Sequence, residues 1–367
     1  MPEIWLPYGT NEVVINIKAE NLAETADVND KPLQEEEVLN SLKQVERPQA
    51  VVTDGTSASR AILEKLSRVW GDSTGILNVV ELKSWQNGEQ DTNRPADKTS
   101  ELGIVDGVLV RAPVSMLEAK PLLISACVFD PVFGFRGPEV LLTKMTSLEV
   151  EALKRWNGTM VPAGDTDPFW FASKVADLFS GLKALTMVPT AGGPAMLSYG
   201  EVKASSEGAR GYLRTSGKRE LRGSRLTMLG CGGSDYDSTL ADALVMLGNH
   251  LNIIPDEAEV IIAAECADGL GSRRLRNIAD GVQGGRPGES VEERILKELS
   301  EKATVHLVST LPKSIVEKRF KLDAHSSLRE AFEKVEARHS WRLKANIIPR
   351  APLIWSVPYN EQPNVAK

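Results

Sequence analysis

Short apolar runs bounded by turn residues alternate along this chain with longer segments whose apolar positions recur every three or four residues. That is the pattern of parallel strands covered by helices. In the first half, residues 49–53 read as a buried strand. After the Asp54-Gly55 turn, Ile62, Leu63, Leu66, Val69 and Trp70 recur at helical spacing. Residues 76–82, 107–110 and 122–129 predict further strands, and 138–156 and 169–179 predict helices. The stretch 86–102 is polar and rich in Asn, Asp and Lys, and predicts an exposed insertion or loop. The second half repeats the alternation, with strands expected over 226–229, 258–264 and 304–309 and helices over 292–301 and 328–338. A charged, turn-forming stretch from Arg214 to Arg225 places a domain boundary near residue 220. The predicted fold class is α/β: two α/β domains with mainly parallel sheets, residues 1–220 and 221–367, and an interdomain cleft. The chain has no internal repeat and no low-complexity tract.

Composition narrows the class. With 367 residues, 42% hydrophobic and 25% charged, the chain suits a globular protein of roughly two or three domains. Met1-Pro2-Glu3-Ile4-Trp5 lacks a basic stretch followed by an apolar core, and no apolar run reaches the ~18 residues of a membrane span. A cytoplasmic protein without a membrane partner is expected. Cys127, Cys231 and Cys266 lie far apart in apolar or glycine-rich surroundings, which suits reduced core thiols better than disulfides or a CxxC metal site. The net charge of −7 argues against a nucleic-acid partner. The local cluster Arg273, Arg274, Arg276 and Arg286 reads as a solvated helix face. Homo-oligomerisation is compatible with the sequence.

Four stretches, taken in order, carry a family resemblance. They are Leu6-Pro7-Tyr8-Gly9 leading into the strand-like 13–17 and Glu20-Asn21-Leu22; Asp54-Gly55-Thr56-Ser57-Ala58-Ser59; Asp130-Pro131-Val132-Phe133-Gly134-Phe135-Arg136-Gly137; and Ala264-Glu265-Cys266-Ala267-Asp268-Gly269-Leu270-Gly271-Ser272. Together they resemble the two-domain lactate racemases that use a nickel-pincer nucleotide. The resemblance implies a 2-hydroxy acid held between two α/β domains, with histidines moving its protons, a lysine anchoring the cofactor and an arginine holding the carboxylate.

The chemistry does not carry over with the motifs. Two opposed bases of near-neutral pKa are needed, and histidine suits the task, yet the first 249 residues contain none. Val132 stands where the loop's histidine is expected. Ser57 stands for the arginine, with Arg60 one turn on as a substitute. Glu139 or Val140 stands for the anchoring lysine, with Lys144 the nearest amine, and no histidine follows to ligate nickel. Asp242 and Val245 occupy the positions of a Gln and a Lys in the second domain. No cofactor is therefore expected, and a degenerate active site is implied.

The residues also admit other uses. Thr56, Ser57 and Ser59 open a helix, where backbone N–H groups favour a phosphate or carboxylate, or where they simply cap it. Asp54, Asp130, Arg136 and Asp242 complete the candidate set for a small anionic partner; Arg136 either meets the anion or pairs with Asp130 or Glu139. Asp130, Asp235, Asp237 and Asp242 either cap helices or form an acid/base or hard-metal set. The loop Gly230-Cys231-Gly232-Gly233-Ser234 lacks both the Walker lysine and GxGxxG spacing. His250, His306, His325 and His339 show no metal-ligand spacing, and His306 reads as a core or edge residue. Three functions remain: a divergent enzyme or binder acting on a hydroxy acid or related anion, a non-catalytic scaffold or sensor, and a nickel-dependent 2-hydroxy-acid racemase with relocated ligands. A polar cleft containing Asp54, Thr56, Arg136 and Asp242 favours the first. Filling by Trp85 or Phe133 favours the second.

Overall fold

The computed structural model describes residues 3–28, 31–71, 78–82, 98–160, 163–282, 290–339 and 343–359. The chain is α/β and folds as two compact units, one formed by residues 29–216 and the other by residues 1–28 together with 217–367. Residues 1–28 pack with the C-terminal segment.

In the unit 29–216, a five-stranded sheet has the order Gly193–Glu201, Lys183–Thr190, Leu122–Ala126, Ala50–Thr53, Asn78–Glu81. All neighbours are parallel except the first pair. Side chains alternate across a strand, so Val51, Leu122, Ile124, Leu185 and Met187 share one face. They pack with Val38 and Leu42 of helix Glu35–Leu42 and with Ile62 and Leu66 of helix Ser57–Trp70. On the opposite face, Thr186 bonds to Ser205 of helix Val202–Ser216 at 2.8 Å.

Several expected elements end differently. The strand expected over 122–129 stops at Ala126, whose N–H is taken by the Asp54 side chain at 2.7 Å, and the Cys127 N–H makes the last bond to the neighbouring strand, at Met187 O. Val128–Asp130 then forms its own antiparallel pair with Gly134–Arg136. The helix expected over 138–156 divides into Pro138–Met145 and Glu149–Leu153, with Ser147 between them at φ +58°. Of the stretch read as a loop over 86–102, residues 86–97 lie outside the described residues, and Thr99–Val105 is a strand paired with Val108–Pro113. Trp85 and Arg286 also lie outside the described residues.

In the other unit, a six-stranded, all-parallel sheet has the order Asp323–His325, Ala303–Val308, Ala258–Ala263, Leu226–Gly230, Ala345–Ile348, Leu22–Thr25. Leu226–Gly230 and Ala258–Ala263 are buried along their whole length, as a sheet covered on both faces requires. One cover is the N-terminal hairpin Glu3–Tyr8/Asn11–Asn16. Its inward Ile4, Leu6 and Ile15, with Ile17, pack on Leu226, Met228, Ile261, Ala345 and Ile347 beside helix Leu328–His339. The fit is close at Gly230, where an added Cβ would lie 2.3 Å from Pro349 O and 3.3 Å from the Leu6 side chain. The fully buried helix Leu240–Leu247 packs with helix Val291–Lys302. No helix among the described residues is long and apolar enough to cross a membrane.

The hairpin's place in the C-terminal unit is testable. Leu6→Ala should cost about 2–5 kcal/mol. Hydrogen exchange should show lost protection in Leu226–Gly230 and Ala345–Ile348 while Ala50–Thr53 is unaffected. Equal loss in both units would contradict the assignment.

Candidate functional site

Loops that follow the parallel strands are where α/β sheets gather ligand-binding groups. In the unit 29–216, strand Ala50–Thr53 runs into Asp54. Its Oδ1 accepts from the Thr56 N–H at 3.1 Å and hydroxyl at 2.8 Å, and its Oδ2 accepts from the Ala126 N–H at 2.7 Å. The carboxylate thereby ties the ends of two strands together. Thr56 caps helix Ser57–Trp70 by accepting from the Ser59 N–H. Asp54 and Thr56 are thus committed to the turn. Ser57 stays exposed on the first helical turn. Arg60 forms a two-pronged pair with Glu81 at 2.9 and 3.2 Å, with both side chains more than a third exposed.

The loop 130–137 is closed. Asp130 is fully buried; its Oδ1 accepts from the N–H groups of Val132 and Phe133, each at 2.8 Å, and its Oδ2 accepts from Arg136 Nε at 2.9 Å. Of the alternatives for Arg136, the structure places it on Asp130. Val132, Phe133 and Phe135 are buried, and Phe135 packs on Phe129 with ring centroids 5.3 Å apart. Gly134 is required, with φ +78° and an added Cβ only 1.8 Å from Gly164 O.

Beyond the loop, Glu139 is buried in the first turn of helix Pro138–Met145. Burial raises its pKa, against the opposing influence of the Ser206 hydroxyl and the Arg210 and Lys203 charges. The same burial, reinforced by Glu139, holds Cys127 as a thiol. Lys144 lies 3.9 Å from Glu149 and is mostly buried. Helix Val202–Ser216 supplies a group that the sequence reading missed. Arg210 lies over the Phe169 ring and Arg214 over the Phe135 ring, and both reach Asp165 Oδ1, at 3.3 and 3.1 Å. Ser206, Arg210 and Arg214 recur at four-residue spacing, a signal present in the sequence.

In the unit of residues 1–28 and 217–367, Asp237 accepts at Oδ2 from the N–H groups of Gly9 at 2.9 Å and Glu265 at 3.3 Å. Its Oδ1 is buried with no hydrogen-bond partner among the described residues. Burial raises the Asp237 pKa, and the two N–H donors only partly offset this. Burial together with the neighbouring Cys266, Glu265 and Asp237 pushes the Tyr8 phenol up to about 12. Asp242 is buried at the start of helix Leu240–Leu247, accepting from the capping Thr239 hydroxyl at 2.7 Å. Val245 is buried on the same helix. Asp130 therefore belongs to one unit, and Asp235, Asp237 and Asp242 to the other. His250 is a core residue between Ser356 Oγ and Ala351 O, with its pKa lowered by burial to about 4. His306, His325 and His339, which have no ligand-like spacing along the chain, gather around Glu259 and Asp323.

The raised pKa of Glu139 fixes a pH dependence. Its folded value exceeds the unfolded one, so the folded state is favoured in full only at low pH. That contribution is lost as pH rises from the ordinary carboxylate range through the raised value. Glu139→Gln should therefore gain stability relative to the parent as pH rises, by about 1–3 kcal/mol. Thermal melts across pH check this; a difference independent of pH would contradict it.

No protein-family model and no curated protein matches the chain. Solved structures do. The lactate racemase apoprotein from Thermoanaerobacterium thermosaccharolyticum superposes with a TM-score of 0.67 over 97% of this chain and 100% of that one, at 14% identity. A structural-genomics protein from Thermotoga maritima superposes with a TM-score of 0.58 over 89% of this chain and 99% of that one, at 10% identity. The chain has a lactate racemase-like fold.

Proposed function

We propose that this chain binds a small hydroxy acid or a related anion and does not racemise it by the nickel-pincer route. The observation that carries this reading is the state of the loop 130–137. Val132 is sealed in the core, and the Asp130 carboxylate is taken up by Arg136 Nε and by the loop's own N–H groups. A residue that neither titrates nor reaches solvent cannot exchange protons with a substrate. The other matching positions agree: Glu139 is a buried carboxyl, Lys144 faces Glu149, and Asp242 is held by a helix cap. These side chains do not fit a covalently anchored nickel-pincer nucleotide.

The remaining anion-binding position is the start of helix Ser57–Trp70. The exposed pair between Arg60 and Glu81 contributes no more than about 1 kcal/mol. An anion at the first turn can therefore draw Arg60 away while meeting the exposed Ser57 and the helix dipole. The second reading, a non-catalytic scaffold or sensor, is favoured by Phe133, which is buried in the loop as an apolar filling would be.

Titration of the isotope-labelled chain with lactate should move the amide signals of residues 55–60, and Arg60→Ala should weaken binding about tenfold, or about 1.4 kcal/mol. The parent should leave L-lactate optically unchanged. Absence of any shift at residues 55–60 would favour the scaffold reading, and formation of D-lactate would overturn both.

A further inference from the structure

The histidine cluster at the edge of the six-stranded sheet is not absorbed by the reading above. Asp323 and His325 are two residues apart on the edge strand Asp323–His325, so both side chains lie on one face. The neighbouring strand runs parallel with His306 in register with Asp323, which brings His306 to the same place. His306 Nδ1 lies 3.0 Å from His325 Nε2 and 3.5 Å from Asp323 Oδ2, and one donor atom from each residue falls within 4.8 Å of the others. Two donors on a tetrahedral zinc ion, each about 2.0–2.1 Å from the metal, stand about 3.3–3.4 Å apart. The 3.0 and 3.5 Å separations bracket that edge length.

The groups behind the rings point the same way. Glu259 Oε2 lies 2.7 Å from His306 Nε2, and a carboxylate only accepts, so the His306 proton sits on Nε2 and the Nδ1 lone pair faces His325. On His325, the ring nitrogen opposite the cluster, Nδ1, is buried with no hydrogen-bond partner among the described residues, and Glu330 Oε1 lies 3.6 Å from it. If Nε2–H of neutral His325 donates to His306, its Nδ1 lone pair is left facing a carboxylate. If the proton sits on Nδ1 instead, that repulsion is relieved, and the two facing imidazole nitrogens both carry lone pairs beside the Asp323 carboxylate. A carboxylate behind each ligating imidazole is the usual outer support of a metal-bound histidine.

We propose that His306 Nδ1, His325 Nε2 and Asp323 form a site for one divalent transition-metal ion of the zinc class. Three protein ligands leave a fourth position, and Asp323, about a quarter exposed, lies on its open side. Lys334 at 3.1 Å and Arg338 at 2.9 Å share Asp323 Oδ2. Both cations compete with the ion, which sets a direction for one variant.

The test uses the full chain, stripped with a chelator and titrated with ZnCl₂ by calorimetry, with Co²⁺ as a visible reporter of tetrahedral N/O coordination. One zinc per chain is expected, with a tetrahedral Co²⁺ spectrum that zinc abolishes. His325→Ala and Asp323→Asn should each lower affinity at least about tenfold, and Lys334→Ala should raise it. Binding that is absent, not stoichiometric, or unchanged in the folded Asp323→Asn and His325→Ala chains would overturn the site. Should His325→Ala fail to fold, an octahedral Co²⁺ spectrum of the parent chain would do the same.

Discussion

A parallel sheet must be covered on both faces, because its strands are apolar all along and its edges cannot be closed by short hairpins. In the six-stranded sheet that demand is met on one side by helix Leu328–His339 and the N-terminal hairpin together. The hairpin's turn then falls beside the loops that follow the central strands. Gly9 donates to Asp237, and the Ser234 N–H donates back to Gly9 O at 2.8 Å. Glycine suits that turn, since its φ is +56°. Core coverage and loop geometry are thus one constraint, and it binds the first 28 residues to the last 151.

Much of this was legible in the amino-acid sequence. Residues 13–17 read as strand-like, and the runs 226–229 and 258–264, each interrupted by one polar residue, Thr227 and Glu259, read as strands. Periodicity says that a face is buried but not against which sheet, so the hairpin's membership of the C-terminal unit was not accessible. The break after Ala126 was equally hidden. It depends on the Asp54 carboxylate arriving from a distant part of the chain to take the Ala126 N–H, and the apolar run itself continues to Phe129.

The candidate site was legible in its chemistry and less so in its role. Counting histidines was enough to see that the first 249 residues offer none for proton transfer. The sequence left Arg136 open between ligand and salt bridge, since that choice depends on burial. A fully buried Asp130 must be compensated, and Arg136 six residues on is the cation within reach. Asp242 shows the same limit. Three residues after Thr239, it suits the partner of a capping threonine as well as a ligand, and the helix uses it as that partner.

All four histidines lie in the unit built from both chain ends, and three of them join Glu259 and Asp323 in a single polar network. A linear motif could not reveal this, because the members come from three parallel strands and a helix, and sheet register alone brings them together. The network is expensive to maintain beside a packed core. Each buried carboxylate there needs a cation or donor, and Lys334, Arg338 and His339 supply them from helix Leu328–His339. That helix covers the same sheet face as the hairpin, so it contributes apolar closure through Leu328, Ala331 and Val335 and charge compensation through Lys334 and Arg338. Spacing along one helix separates the two tasks. The positions that close the core recur every three to four residues, and the cations occupy the flank between that stripe and solvent.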